Sequence, residues 1–155
     1  MDTLTTTSPM TDSAGTILVI EHDQLLREGV HAILGPERYH VLEASDATVG
    51  CTVARESHPD LIICAVNMPD RNGYETLGQL RRDVQTADIS VILVSDKWVN
   101  QSEVRFAMSL GANDYFVRPY KATDLLGSVH SRLEYRRAAA IYEEARISRL
   151  REGTV

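Results

Sequence analysis

Three ionisable residues in a row, Glu21-His22-Asp23, close the apolar run Thr16-Ile17-Leu18-Val19-Ile20. Ser95-Asp96 close a second run, Ser90-Val91-Ile92-Leu93-Val94, and Arg118-Pro119 close Asp114-Tyr115-Phe116-Val117. An acid, an imidazole, a hydroxyl and a guanidinium at the ends of apolar runs are groups that bind metal ions, hold phosphate or carry protons. The most apolar run, Leu61-Ile62-Ile63-Cys64-Ala65, ends differently. Its last residue is an alanine, whose methyl offers no chemistry, before Asn67-Met68-Pro69-Asp70-Arg71-Asn72-Gly73 turns the chain.

These groups can meet only if the runs are neighbouring strands. Short apolar runs between breakers read as strands buried on both faces of a parallel sheet. Between them lie segments of helical spacing. Gln24 to Leu34 carries Leu25, Leu26, Val30, Ile33 and Leu34 and is closed by Gly35-Pro36. Tyr39 to Glu43 is a short strand, and a helix begins at Asp46 and ends before His58-Pro59. Further helices are expected over Tyr74 to Val84 and Val99 to Leu110. A last helix starts at Thr123, or at Lys121-Ala122, and runs to about Leu150, with Leu126, Val129 and Leu133 packing on the sheet.

Five strand–helix alternations imply right-handed βαβ units, a doubly wound parallel α/β sheet of flavodoxin-like (βα)5 type, with an extended C-terminal helix. In the order 2-1-3-4-5 the first and third strands flank the switch point, and the strand ends converge on one pocket. The expected organisation is a disordered tail over residues 1–15, a domain over 16–133 and a helical extension over 134–155.

The 155 residues, 43% hydrophobic and 25% charged, suit one globular domain. No apolar run spans a bilayer and no signal peptide is visible, so a cytoplasmic protein is expected. Cys51 and Cys64 suit reduced, buried thiols, and the net charge of −6 argues against direct nucleic-acid binding.

The segment from Thr16 to about Leu133 resembles the receiver domain of a two-component response regulator. The resemblance is carried jointly by Glu21-His22, by Pro59 to Ile63 leading to Asn67-Met68-Pro69 and Gly73, by Ser95, and by Gly111 to Tyr115 leading to Arg118-Pro119-Tyr120. It implies an Asp at the position of Ala65 that takes a phosphoryl group from a histidine kinase. It also implies acids at Glu21 and His22 which, with the Asn67 carbonyl, bind Mg²⁺. A hydroxyl at Ser95 and a Lys at Arg118 would contact the phosphate, and the aromatic at Tyr115 would change rotamer on activation.

Asn67, Ser95, Tyr115 and Pro119 fit that pattern; Ala65, His22 and Arg118 depart from it. Aspartyl phosphate needs a carboxylate nucleophile. Mg²⁺ needs hard oxygen ligands, and Glu21 with Asp23 are the only weak candidates. Glu21 and Arg118 cancel in charge, so a Glu21–Arg118 ion pair is expected to close the site without metal or other cofactor.

The expectation is a phosphorylation-independent pseudo-receiver, a non-enzymatic protein-interaction module. Its partner would be a signalling protein or histidine kinase. A homodimer would form through the C-terminal helix or the face of the fourth strand, fifth strand and last helix. The competing expectation is an ordinary phosphorelay receiver whose phosphoacceptor has been replaced by Ala65. A flavin protein is a third class, but Glu21-His22-Asp23-Gln24 is the opposite of a phosphate-binding loop.

Single residues have plainer readings. His22 suits a hydrogen-bonded strand end better than a metal ligand, and Cys64 inert core better than a redox sensor. Ser95 and Asp96 are alternative phosphoacceptors or caps of the following loop or helix. Trp98 is a partner contact or a lid on the pocket. Tyr135 to Leu150 would project roughly 25 Å as helix. Leu126, Val129, Leu133, Ala140, Ile147 and Leu150 lie near heptad positions, interrupted by Arg136 and Glu143.

Overall fold

In a computed structural model, residues 13–153 are described; residues 1–12, most of the expected tail, and 154–155 lie outside them. Five strands, β1 (Thr16–Ile20), β2 (His40–Ala44), β3 (Leu61–Ala65), β4 (Ser90–Ser95) and β5 (Asp114–Val117), form one sheet. All neighbours are parallel and the order is β2-β1-β3-β4-β5. The helices are α1 (Gln24–Leu34), α2 (Ala47–Ser57), α3 (Gly73–Arg82), α4 (Gln101–Ser109) and α5 (Ala122–Glu152). The doubly wound fold expected from the alternation is therefore present.

Strand alternation divides the core in two. Ile17, Val19, Leu61, Ile63, Ile92 and Val94 point to one face, under Val30 and Leu34 of α1 and Leu125, Val129 and Leu133 of α5. Leu18, Ile20, Ile62, Cys64, Val91 and Leu93 point to the other, under Ala54 of α2, Leu77 and Leu80 of α3 and Ala107 of α4. Period-2 residues on parallel strands are buried on both faces because a helix covers each.

Helix starts follow side-chain caps more closely than apolar spacing. Asp23, Asp46, Asn72 and Asn100 each accept a backbone N–H of the first turn. Asn72 and Glu75 form a reciprocal capping box, so α3 starts at Gly73 and ends at Arg82 rather than spanning 74–84. Asn100 likewise delays α4 to Gln101. On α5 the residue fully buried in the first turn is Leu125; Leu126 is only half-buried. Ser13 to Gly15 are also held in place: Ala14 N donates to Arg38 O at 3.0 Å and Arg137 Nη2 donates to Ala14 O at 2.9 Å. That end of the expected disordered tail is ordered.

Two loops set the sheet's edges. At the C-terminal edge, Gly73 sits against the end of β3, where a Cβ would lie 2.6 Å from the Ala65 carbonyl oxygen. Only glycine permits that approach. At the N-terminal edge, Gly111 has φ +105° and packs on Arg81. Arg81 donates to Gly111 O through Nε and Nη2, to Ala87 O and Ile89 O through Nη1, and to Asn113 Oδ1 through Nη2. The asparagine in turn accepts from Val91 N and so fixes the start of β4.

Candidate functional site

The C-terminal ends of β1, β3, β4 and β5 converge as the switch-point rule requires. Ala65 ends β3 and is buried. Glu21, directly after β1, is only 3% exposed. Its Oε1 accepts from Arg118 Nη2 at 2.9 Å, and its Oε2 accepts from Asp23 N at 2.9 Å. Arg118, directly after β5, is thus turned inward and pairs with Glu21 as expected. Its other terminal nitrogen donates to Asp96 Oδ1. Asp96, a candidate cap or phosphoacceptor by sequence, is the outer partner of Arg118, and α4 is capped by Asn100 instead. The charge balance changes accordingly: two carboxylates share one guanidinium, leaving one negative charge rather than none.

The remaining residues brace this triad. Asn67 Oδ1 accepts from Asp96 N at 3.1 Å, tying the loop after β3 to the loop after β4. Ser95, buried at the end of β4, donates to Lys97 O and accepts from Lys97 N, which folds the loop over its hydroxyl. Ser95 O accepts from Arg118 N, and the Arg118–Pro119 bond is cis. Tyr120 lies beside the guanidinium; burial pushes its hydroxyl pKa up and Arg118 draws it back.

Asp23 and His22 lie outside this triad. Asp23 Oδ1 caps α1 through Leu26 N at 3.1 Å, so its carboxylate serves the helix. His22 is exposed, and its backbone carbonyl, rather than its ring, accepts from Arg27 Nη1. The expected strand-end hydrogen bond of the imidazole is replaced by this backbone contact, because the chain bends outward into α1. Asp70, which the sequence did not single out, accepts from Ala47 N, Thr48 N and Thr48 Oγ1 at the start of α2. The slight desolvation of this exposed carboxyl raises its pKa, but these hydrogen bonds outweigh that and lower it to about 2. An acid in a turn one strand away from a helix start is the signal that could have revealed it.

A cleft of about 690 Å³ opens beside the triad, lined by His22, Asn67, Met68, Tyr74, Lys97 and Trp98 among others. Trp98 leaves 80% of its surface exposed and so forms the rim of the cleft, not a closed lid. Tyr115 is half-buried, and its hydroxyl meets that of Tyr74 at 2.7 Å; Tyr74 also stacks edge-on against Phe106. Cys64 is fully buried and burial raises its thiol pKa, so it stays a protonated core residue.

Comparison with known proteins gives the family. Residues 17–130 match the family described as "Response regulator receiver domain". The nitrate/nitrite response regulator NarL of Escherichia coli is 36% identical over 117 residues, covering 74% of this chain and 53% of that protein. The DNA-binding regulator RpaA of Synechocystis is 31% identical over 134 residues, covering 86% of this chain and 54% of that protein. The chain thus spans about half the length of these relatives. Among solved structures, a CheY-like receiver domain protein of Methanospirillum hungatei superposes with a TM-score of 0.75 at 23% identity, over 82% of this chain and 99% of that one. A response regulator of Desulfuromonas acetoxidans gives 0.70 at 25% identity, over 77% and 97%. The chain belongs to the response regulator receiver family, the receiver domains of two-component systems.

Proposed function

We propose that this receiver works without phosphorylation, as a protein-interaction module over residues 16–133 with a helical extension over 134–155. The observation that carries the reading is the inward Arg118, bonded to Glu21 and Asp96, at a sheet end where β3 closes on the buried methyl-bearing Ala65. Ala65 supplies no nucleophile for phosphoryl transfer. The residues do not fit Mg²⁺ either. Both Glu21 oxygens are engaged, one of them by the Arg118 guanidinium, and Asp23 is committed to α1. A fixed charge at the switch point holds one surface. That surface would be read by a signalling protein or histidine kinase and by a second copy of the chain. The DNA-binding activity in the names of relatives such as RpaA would not come from this acidic segment.

The rival reading, a working receiver with one residue replaced, is favoured by the residue types at Asn67, Ser95, Tyr115 and Pro119, which fit the family pattern. Intact-mass measurement after acetyl phosphate separates the two. Ala65→Asp alone should gain almost no phosphate, because Arg118 would grip the new carboxylate bidentately and no metal would offset charge developing on the phosphoryl group. Adding His22→Asp and Arg118→Lys should restore Mg²⁺-dependent phosphorylation. Near-complete modification of Ala65→Asp alone would establish the rival.

A further inference from the structure

Past Leu133, α5 leaves the sheet and exposes large apolar side chains: Tyr135, Ile141 and Tyr142 are 72%, 68% and 65% exposed. Tyr135, Ala138, Tyr142 and Ala145 are spaced three, four and three apart, which sets them in one line along the helix. This line is on the side away from Leu125, Val129 and Leu133. Toward the domain it continues through exposed Ser131 into an open groove of about 470 Å³ bordered by Asp114 and Asp124. At Gly127, within that groove, an added Cβ would meet nothing within 4 Å.

We propose that this line pairs with the same line of a second copy, the two helices running antiparallel about a two-fold axis at Ala140. The inference deepens the reading of the chain as a self-associating module and is independent of whether it dispenses with phosphorylation. Size complementarity supports the orientation. Residues equally far from Ala140 on opposite sides meet, so Tyr135 faces the second copy's Ala145 and Ala138 faces its Tyr142. Each layer then holds one ring and one methyl, which suits the uniform 8–10 Å spacing of packed helices. A parallel, in-register pair would stack Tyr on Tyr and leave gaps at Ala on Ala. It would also place Arg149 against Arg149.

Charge follows the same symmetry. Arg149 lies four residues past Ala145 on the same line. In the antiparallel register the second copy's Arg149 reaches the level of Ser131, at the edge of the groove lined by Asp114, Asp124 and Arg132.

Single exposed cysteines test the register, since native Cys51 and Cys64 are buried. Mixing Tyr135→Cys with Ala145→Cys under mild oxidation should give a mixed disulfide dimer, identified by intact mass, while Tyr135→Cys alone should not link to itself. Self-linking of Tyr135→Cys would overturn the antiparallel register and leave self-association standing. A dimer that survives truncation after Arg136 would move the contact to another face and likewise overturn it. A monomer by light scattering would overturn both the inference and self-association, without touching the phosphorylation test.

Discussion

Arg81 and Arg118 sit at opposite edges of the same sheet and use the same fork in opposite ways. Arg81, at the N-terminal edge, gives its hydrogen bonds to uncharged oxygens of the loops entering β4 and β5. Burial lowers its pKa, so charge is tolerated there rather than exploited. Arg118, at the C-terminal edge, is held by two carboxylates on two other strand ends. The first arrangement is a mechanical staple with one geometry. The second is an electrostatic balance, which changes whenever a nearby charge is added or removed. Neutral and charged partners of arginine are thus separated along the strand direction.

The comparison can be broken most severely at the staple. Arg81→Met should cost about 3 kcal/mol or more in urea unfolding, because four partly buried oxygens lose a charged donor at once. Arg81→Lys should recover less than half, since an ammonium cannot span the same acceptors. Arg118→Met should cost less, about 2 kcal/mol, from stranding the buried Glu21. Glu21→Gln in that background should return part of the loss, a coupling a double-mutant cycle reads directly. Equal losses for Arg81→Met and Arg118→Met, with no coupling to Glu21, would make both arginines staples.

Smaller effects sharpen the description of the functional edge. Asp70→Asn should lower stability by about 1 kcal/mol, the usual cost of a lost helix cap. Its folded pKa is lowered from 3.8 to about 2. The contribution is therefore fully present above pH 4 and lost as pH falls toward 2. The gap in melting temperature between the native chain and Asp70→Asn should narrow over that range; a constant gap would mean the Asp70 charge adds nothing to the start of α2 beside the Asp46 cap. The smallest expected effect is none. Millimolar Mg²⁺ should leave the melting temperature and Trp98 fluorescence unchanged, because a ligand of the native state must raise stability. A saturable rise would show that a cation displaces Arg118 from Glu21.

Strand positions, their order and both buried faces could be read in the sequence, because runs such as Ile17–Ile20 and Leu61–Cys64 have no alternative to double burial. The approach of Glu21 to Arg118 could be read as well, since each directly follows a strand whose end is fixed by register. Asp96, Asp70 and His22 could not. His22 and Asp70 lie further beyond strand ends, and Asp96, although it directly follows β4, takes its direction like them from loop contacts such as Asn67 to Asp96 and Asp70 to Thr48. Those contacts join segments remote in sequence, and no periodicity encodes them. Helix starts shifted for a related reason: caps at Asn72 and Asn100 are polar and local, and the apolar pattern does not include them.

The length of α5 has a mechanical consequence. Leu125, Val129 and Leu133 fix its root to the sheet over about three turns, and no described residue of the chain beyond Arg137 is buried. The remainder is a lever arm. From Leu133 to Glu152 it measures roughly 28 Å at 1.5 Å per residue. A tilt of about 10° at the root would carry the tip on the order of 5 Å along its arc. Motions at the β5 end of the sheet too small to alter its hydrogen bonds would thereby become displacements as large as a helical turn at the far end.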